Sequence, residues 1–169
     1  LSHLRPDLKF QDLRGNIETR LLRIDEVDAV VIAKAALDRL DLTPEQMDPL
    51  PISVLLPQVG QGALAIECRE EDFEIIQMLK RIEDQKVRVA VDAERSFLAE
   101  VGSGCSLPVA AHAVLKEEEI FLEASIASKD GMTLLKAEGS GSDANKLGVK
   151  IANKLLNEEG GSHLLNENL

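Results

Sequence analysis

The chain has 169 residues, 44% of them hydrophobic, which is enough to bury a core as one domain or two small ones. A formal net charge of −11, with no Trp, no Tyr and four Phe, argues against a nucleic-acid surface, which needs a basic footprint and rings for bases to stack on. No apolar run approaches the length of a membrane span, no basic segment leads into one as in a secretory signal, and the opening Leu1 leads us to expect a missing upstream part.

In chain order, Leu8 to Leu13 reads as a short strand ended by Gly15. Asn16 is a plausible N-cap, and Ile17, Leu21 and Ile24 recur at helical spacing. Ala29 to Ala33 is a continuous apolar run of the kind found in a strand buried on both faces. Lys34 to Leu40 reads as a helix, and Thr43-Pro44-Glu45-Gln46 carries the signals of another helix start. Strand and helix in alternation predict parallel α/β packing.

Asp48-Pro49-Leu50-Pro51 closes that unit, Ile52 to Leu56 is extended, and Pro57 to Gly62 forms a glycine-rich loop. Ala63 to Cys68 is another candidate buried strand, and Glu70 to Ile82 a helix with Phe73, Ile76, Leu79 and Ile82 as its apolar stripe. Residues 83–86 look like a polar linker. Val87 to Val101 reads as a helix, favoured from about Asp92, because Val87, Val89 and Val91 also alternate like a strand. After the turn Gly102-Ser103-Gly104-Cys105-Ser106, three strands are predicted at Val109–Leu115, Ile120–Ser128 and Thr133–Gly139. Glu117 to Glu119 and Lys129-Asp130-Gly131 supply the turns. Ser142 is the expected cap of a last helix to about Leu156, stopped by Gly160-Gly161, with a frayed tail beyond. An antiparallel three-stranded sheet with helices on one face is the packing these elements predict.

Two distant cysteines, Cys68 and Cys105, make no disulfide framework, and together with His3, His112 and His163 they give no metal-ligand spacing. A reducing cytoplasm is the expected compartment. All nine arginines lie between Arg5 and Arg95. Arginine suits bidentate recognition of carboxylate or phosphate, although solvated helix faces would explain the same composition. Cys105 sits among small residues that leave its sulfur reachable, as an attachment point requires. Taken alone, it reads more readily as a small inert residue in a tight turn. A hydrolase pairing of Cys105 with His112 rests on proximity in sequence only.

Three ordered segments add to this. Leu13-Arg14-Gly15-Asn16-Ile17-Glu18-Thr19-Arg20-Leu21, then Leu56-Pro57-Gln58-Val59-Gly60-Gln61-Gly62-Ala63, then Ala93-Glu94-Arg95 followed by Gly104-Cys105-Ser106-Leu107-Pro108-Val109, resemble the porphobilinogen deaminase (hydroxymethylbilane synthase) family. The resemblance runs from about Arg5 to about Glu159. It implies the C-terminal half of a three-domain enzyme: two periplasmic-binding-protein-like α/β lobes and a small α+β domain. On that template residues 1–51 are the later part of the second lobe and 52–82 a return segment completing the first. Residues 83–86 are then the linker, and 87–169 the cofactor-carrying domain.

The resemblance also implies the chemistry, a transferase of tetrapyrrole (haem) biosynthesis. Four porphobilinogen units are joined head to tail, with loss of ammonia, on a dipyrromethane primer held by a thioether, here through Cys105. Each pyrrole carries an acetate and a propionate. Arg14, Arg20 and Arg39 are therefore expected to bind these carboxylates, Arg20 those of the cofactor as well, with Gln61 lining the same cleft. Arg95 is expected to tie its helix to its neighbours. Lys34 and Ala36 stand where the family usually has a small residue and glycine. The family's catalytic aspartate belongs to a segment upstream, so no catalytic residue is expected in this chain. The expected partners are porphobilinogen, the growing polypyrrole and the missing N-terminal half, with no nucleic acid and no membrane, as a monomer when complete. The remaining alternatives are an inactive fragment and an anion-binding module without chemistry.

Overall fold

The computed structural model describes residues 1–102 and 108–166, with no side-chain placement for Asn166. The chain divides into two compact units, Asp7–Val54 and Leu1–Pro6 with Leu55–Leu169.

The larger unit holds the sheet. Strands β1 (Val109–Lys116), β2 (Glu119–Ala127) and β3 (Leu134–Gly141) pair antiparallel in the order β1-β2-β3. Their register stacks the core-facing residues in rows across the sheet: Val109, Ile126 and Leu135; Ala111, Ala124 and Ala137; Ala113, Leu122 and Gly139. The middle strand contributes Ile120, Leu122 and Ile126, all fully enclosed, while the outer strands offer mostly alanine and glycine. Small residues there let two helices lie close over the sheet.

Those helices are α4 (Gln85–Val101) and α5 (Ala144–Asn153). Asp84 caps α4 by accepting hydrogen bonds from the Lys86 and Val87 N–H groups at 2.9 and 3.2 Å. From that cap Ala90, Ala93, Glu94, Phe97 and Val101 fall on one buried stripe at helical spacing. The helix therefore starts at Gln85 rather than near Asp92. The valine alternation at Val87, Val89 and Val91 is overridden because the cap and the stripe agree on a period of 3.6.

Helices α4 and α5 cross at Gly148. A Cβ built there would stand 2.6 Å from the Ala93 carbonyl oxygen, the Phe97 backbone nitrogen and the Ser96 Cβ. Asp143, one residue later than the expected Ser142, caps α5 through the Lys146 N–H at 3.0 Å. A π-type turn (Lys154–Glu158) buries Leu155 completely. Over residues 161–166, where a frayed tail is expected, helix α6 (Gly161–Asn166) forms, because Leu165 is drawn into the core. The three predicted strands form within one or two residues of their expected ends, and Gly131 (φ +72°) turns β2 into β3 as the Lys129-Asp130-Gly131 signal predicts.

Upstream of α4 the same unit holds the short helix α3 (Phe73–Leu79), narrower than the predicted Glu70–Ile82. Of its expected stripe, Phe73 and Ile82 are exposed. Residues 63–68, expected as a buried strand, are unpaired, with Leu64 80% exposed and Ile66 63% exposed.

The Asp7–Val54 unit contains α1 (Ile17–Leu22), a 3-10 turn at Ile24–Glu26 and α2 (Lys34–Arg39). Asn16 caps α1 as predicted, accepting from the Thr19 N–H at 2.8 Å. The strands expected at Leu8–Leu13 and Ala29–Ala33 do not form, and neither does a helix after Thr43-Pro44. The physical reason is pairing. A strand buried on both faces needs flanking strands for its N–H and C=O groups, and the described residues of this unit supply none. Leu37 is its one buried side chain among the described residues.

Candidate functional site

Arg14 and Arg20 flank the first turn of α1 along the chain. Arg14 is exposed just before Gly15, and Arg20, on α1 and half-buried, folds its Nε back to donate to the Gly15 carbonyl at 2.9 Å. This bond fixes the guanidinium plane across the first turn and leaves its Nη edge as the fork that suits a carboxylate. Arg39 ends α2, exposed, directly after Asp38 of the Lys34–Asp38 ion pair at 2.7 Å. All three arginines belong to the Asp7–Val54 unit. Donors of this kind fit a group rich in acetate and propionate.

Gln61 belongs to the other unit, at the crown of the loop 57–62. Two consecutive turns build that crown: the Gln61 N–H donates to the Gln58 carbonyl at 2.9 Å and the Ala63 N–H to the Gly60 carbonyl at 3.2 Å. Gly60 and Gly62 both take positive φ, +70° and +87°, which L side chains rarely adopt. Gln61 is consequently left exposed between two positions that favour glycine.

The loop does not hang free. It runs along the outer edge of β1, where the Pro57 carbonyl accepts from the Ala111 N–H at 3.1 Å. The next outward-facing N–H, of Ala113, donates to Glu94 Oε1 at 2.8 Å, and the Gly60 N–H donates to Glu94 Oε2 at 2.8 Å. Glu94 is 6% exposed, on the inward face of α4, and His112 Nδ1 lies 3.8 Å from its Oε1. A carboxylate this deep is tolerable only because both oxygens accept hydrogen bonds.

The sequence points to Arg95 as the residue that ties α4 to its surroundings, but Arg95 is exposed and its neighbour Glu94 makes those bonds. One signal was available, since the helical stripe Ala90, Ala93, Phe97, Val101 places position 94 inward, and an inward carboxylate demands partners.

Cys105 lies outside the described residues. The chain enters that segment from Gly102, which closes α4 at φ +71°, and leaves it at Pro108, whose carbonyl accepts from the Ala127 N–H at 2.9 Å. The other thiol, Cys68, is exposed. Among the described residues no cluster of His, Cys, Asp and Glu could hold a metal ion, and no helix is long and apolar enough to cross a membrane.

Two family models match the chain in succession. Residues 1–77 match the porphobilinogen deaminase "dipyromethane cofactor binding domain", and residues 89–157 match the porphobilinogen deaminase C-terminal domain. The expected arginines and Gln61 fall in the first and Cys105 in the second. Among curated relatives, a porphobilinogen deaminase of Brevibacillus brevis is 42% identical over 163 residues, covering 95% of this chain and 53% of the relative. One from Roseiflexus sp. (strain RS-1) is 44% identical, covering 98% of this chain and 55% of the relative. One from Geobacillus kaustophilus is 43% identical, with 95% and 53% coverage. The chain spans about half the length of these relatives.

Proposed function

Because the chain belongs to the porphobilinogen deaminase family, we propose that it is the C-terminal part of a porphobilinogen deaminase, a cytoplasmic transferase of haem biosynthesis that acts as a monomer when complete. The observation that carries this reading is the match of both family models, in order, over most of the chain.

On this reading Cys105 holds the dipyrromethane through a thioether, which survives repeated turnover because it does not hydrolyse. When bound, the dipyrromethane supplies the pyrrole end to which porphobilinogen is added. Arg14, Arg20 and Arg39 bind acetate and propionate groups of the cofactor and the growing chain, and Gln61 lines the cleft. Each charge-assisted fork contributes about 1.5–3 kcal/mol in a partly desolvated site. Residues 1–51 belong to the second lobe, 52–82 complete the first, and 87–169 form the cofactor-carrying domain. The aspartate that handles the leaving ammonia lies in the other half of the enzyme.

The test joins this chain to the N-terminal half of the Brevibacillus brevis relative. We expect hydroxymethylbilane from porphobilinogen only in the assembled protein, and an intact mass raised by one dipyrromethane. Cys105→Ala should remove both the added mass and the turnover. Product from the 169-residue chain alone would overturn the division of labour, and an adduct that persists in Cys105→Ala would overturn the attachment site.

A further inference from the structure

We propose that Glu94 is a positioning residue: its carboxylate clamps the loop 57–62 to the outer edge of β1 and so fixes Gln61 for the substrate's carboxylates. The inference rests on the cleft role given to Gln61 above.

The geometry supplies the clamp. Among the described residues strand β1 pairs with β2 alone, so N–H groups on its outer edge, those of Ala111 and Ala113, need other partners. The loop satisfies the first through Pro57 and Glu94 satisfies the second. Glu94 Oε2 then reaches the Gly60 N–H, so a single carboxylate bridges helix, sheet edge and loop. The residue it holds, Gly60, immediately precedes Gln61. The turn bonds inside the loop fix its shape; Glu94 fixes where that shape sits.

The functional group is specific. Glutamine has the same outline as glutamate, but its amide presents one accepting oxygen and one donating nitrogen. Glu94→Gln can therefore satisfy Gly60 or Ala113, never both. An N–H left facing an NH2 group in a covered site forfeits a charge-assisted bond.

The first arm of the test is amide hydrogen exchange on the 169-residue chain. In the wild type the Gly60 N–H should exchange at least about tenfold more slowly than that of exposed Leu64, the protection one such bond implies. In Glu94→Gln the Gly60 or Ala113 amide should lose that protection while the Leu122 and Ala124 amides of β2 keep theirs. If Glu94→Gln does not fold, the wild-type comparison of Gly60 with Leu64 decides alone, and equal rates overturn the clamp.

The second arm is kinetic, in the assembled enzyme. Glu94→Gln should raise KM for porphobilinogen more than it lowers kcat, and Gln61→Ala should do the same. Combined, the two substitutions should cost no more than the larger single effect, because one residue acts through the other. Additive effects would make Glu94 merely structural and overturn the proposal. Gln61→Ala with unchanged KM would remove the cleft role of the loop, while unchanged Gly60 exchange in Glu94→Gln would remove the clamp itself, so the two failures are told apart.

Discussion

Strand β2 and the run Ala29–Ala33 are both rich in branched apolar residues, but they end up in opposite conditions. Ile120, Leu122, Ala124 and Ile126 are enclosed between α4, α5 and two neighbouring strands, whereas Val31 is 58% exposed and no strand forms around it. What separates them is the distance along the chain to a partner. An antiparallel meander finds its partners across turns of a few residues, and each strand satisfies its neighbour. A strand meant for a parallel sheet needs partners brought by crossovers from far away. The C-terminal module therefore carries its whole core within residues 85–165, and the Asp7–Val54 unit buries little beyond Leu37.

The largest expected effect tests that contrast directly. Phe97, fully buried on α4, fills the space between both helices and the sheet, so Phe97→Ala should cost about 3–5 kcal/mol. With no Trp or Tyr in the chain, the readout is helical circular dichroism against urea. Leu37→Ala should leave the midpoint of that transition unchanged, because Leu37 is not among the described residues of that core. A matching shift from Leu37→Ala would mean that the two regions unfold as one, and the contrast would fail.

A smaller effect tests how the module's core is closed. Alanine is ordinarily favoured over glycine inside a helix, by roughly 0.5–1 kcal/mol. At Gly148 the sign should reverse, because the added methyl would meet the backbone of α4 at 2.6 Å, and backbone cannot rotate away. Overpacking of this kind costs about 1–3 kcal/mol, read as a lower urea midpoint at unchanged slope. A gain in stability would show that α4 and α5 cross farther apart.

What was legible in the sequence follows the same division. The hairpin signals, the Asn16 cap and the order of elements in the C-terminal module are local, and each formed where its residues stood. The run Ala63–Cys68 does not form the buried strand expected of it, because apolar residues alone do not say whether neighbours are present to pair with it. The site divides likewise. Arg14, Arg20, Arg39, Gln61 and Cys105 came from motif resemblance, because recognition residues sit on loops and helix ends where no periodicity marks them. Glu94 carries no such motif signal of its own, since within Ala93-Glu94-Arg95 a charged side chain reads by composition as solvent-facing. The phase set by Ala93, Phe97 and Val101, all within the helix expected from about Asp92, is what turns Glu94 inward.

The smallest effect uses pH. Asp143 is held below the ordinary carboxylate range, chiefly by the backbone N–H of Lys146 that it caps and further by the Lys146 side chain. Its folded pKa is depressed, so its contribution is complete above the unfolded value, about 3.9 for aspartate, and disappears as pH falls through the folded value. The stability gap between wild type and Asp143→Ala should therefore be constant near neutral pH and close as the solution is acidified below the unfolded value. Glu26 is likewise held low, by the Arg23 guanidinium that hydrogen-bonds it, but it lies in the Asp7–Val54 unit. Glu26→Ala should leave the pH dependence of the cooperative transition where it was. If instead Glu26→Ala flattens that dependence as much as Asp143→Ala does, residues 7–54 share the core's cooperativity, and pairing distance is no longer what separates the two regions.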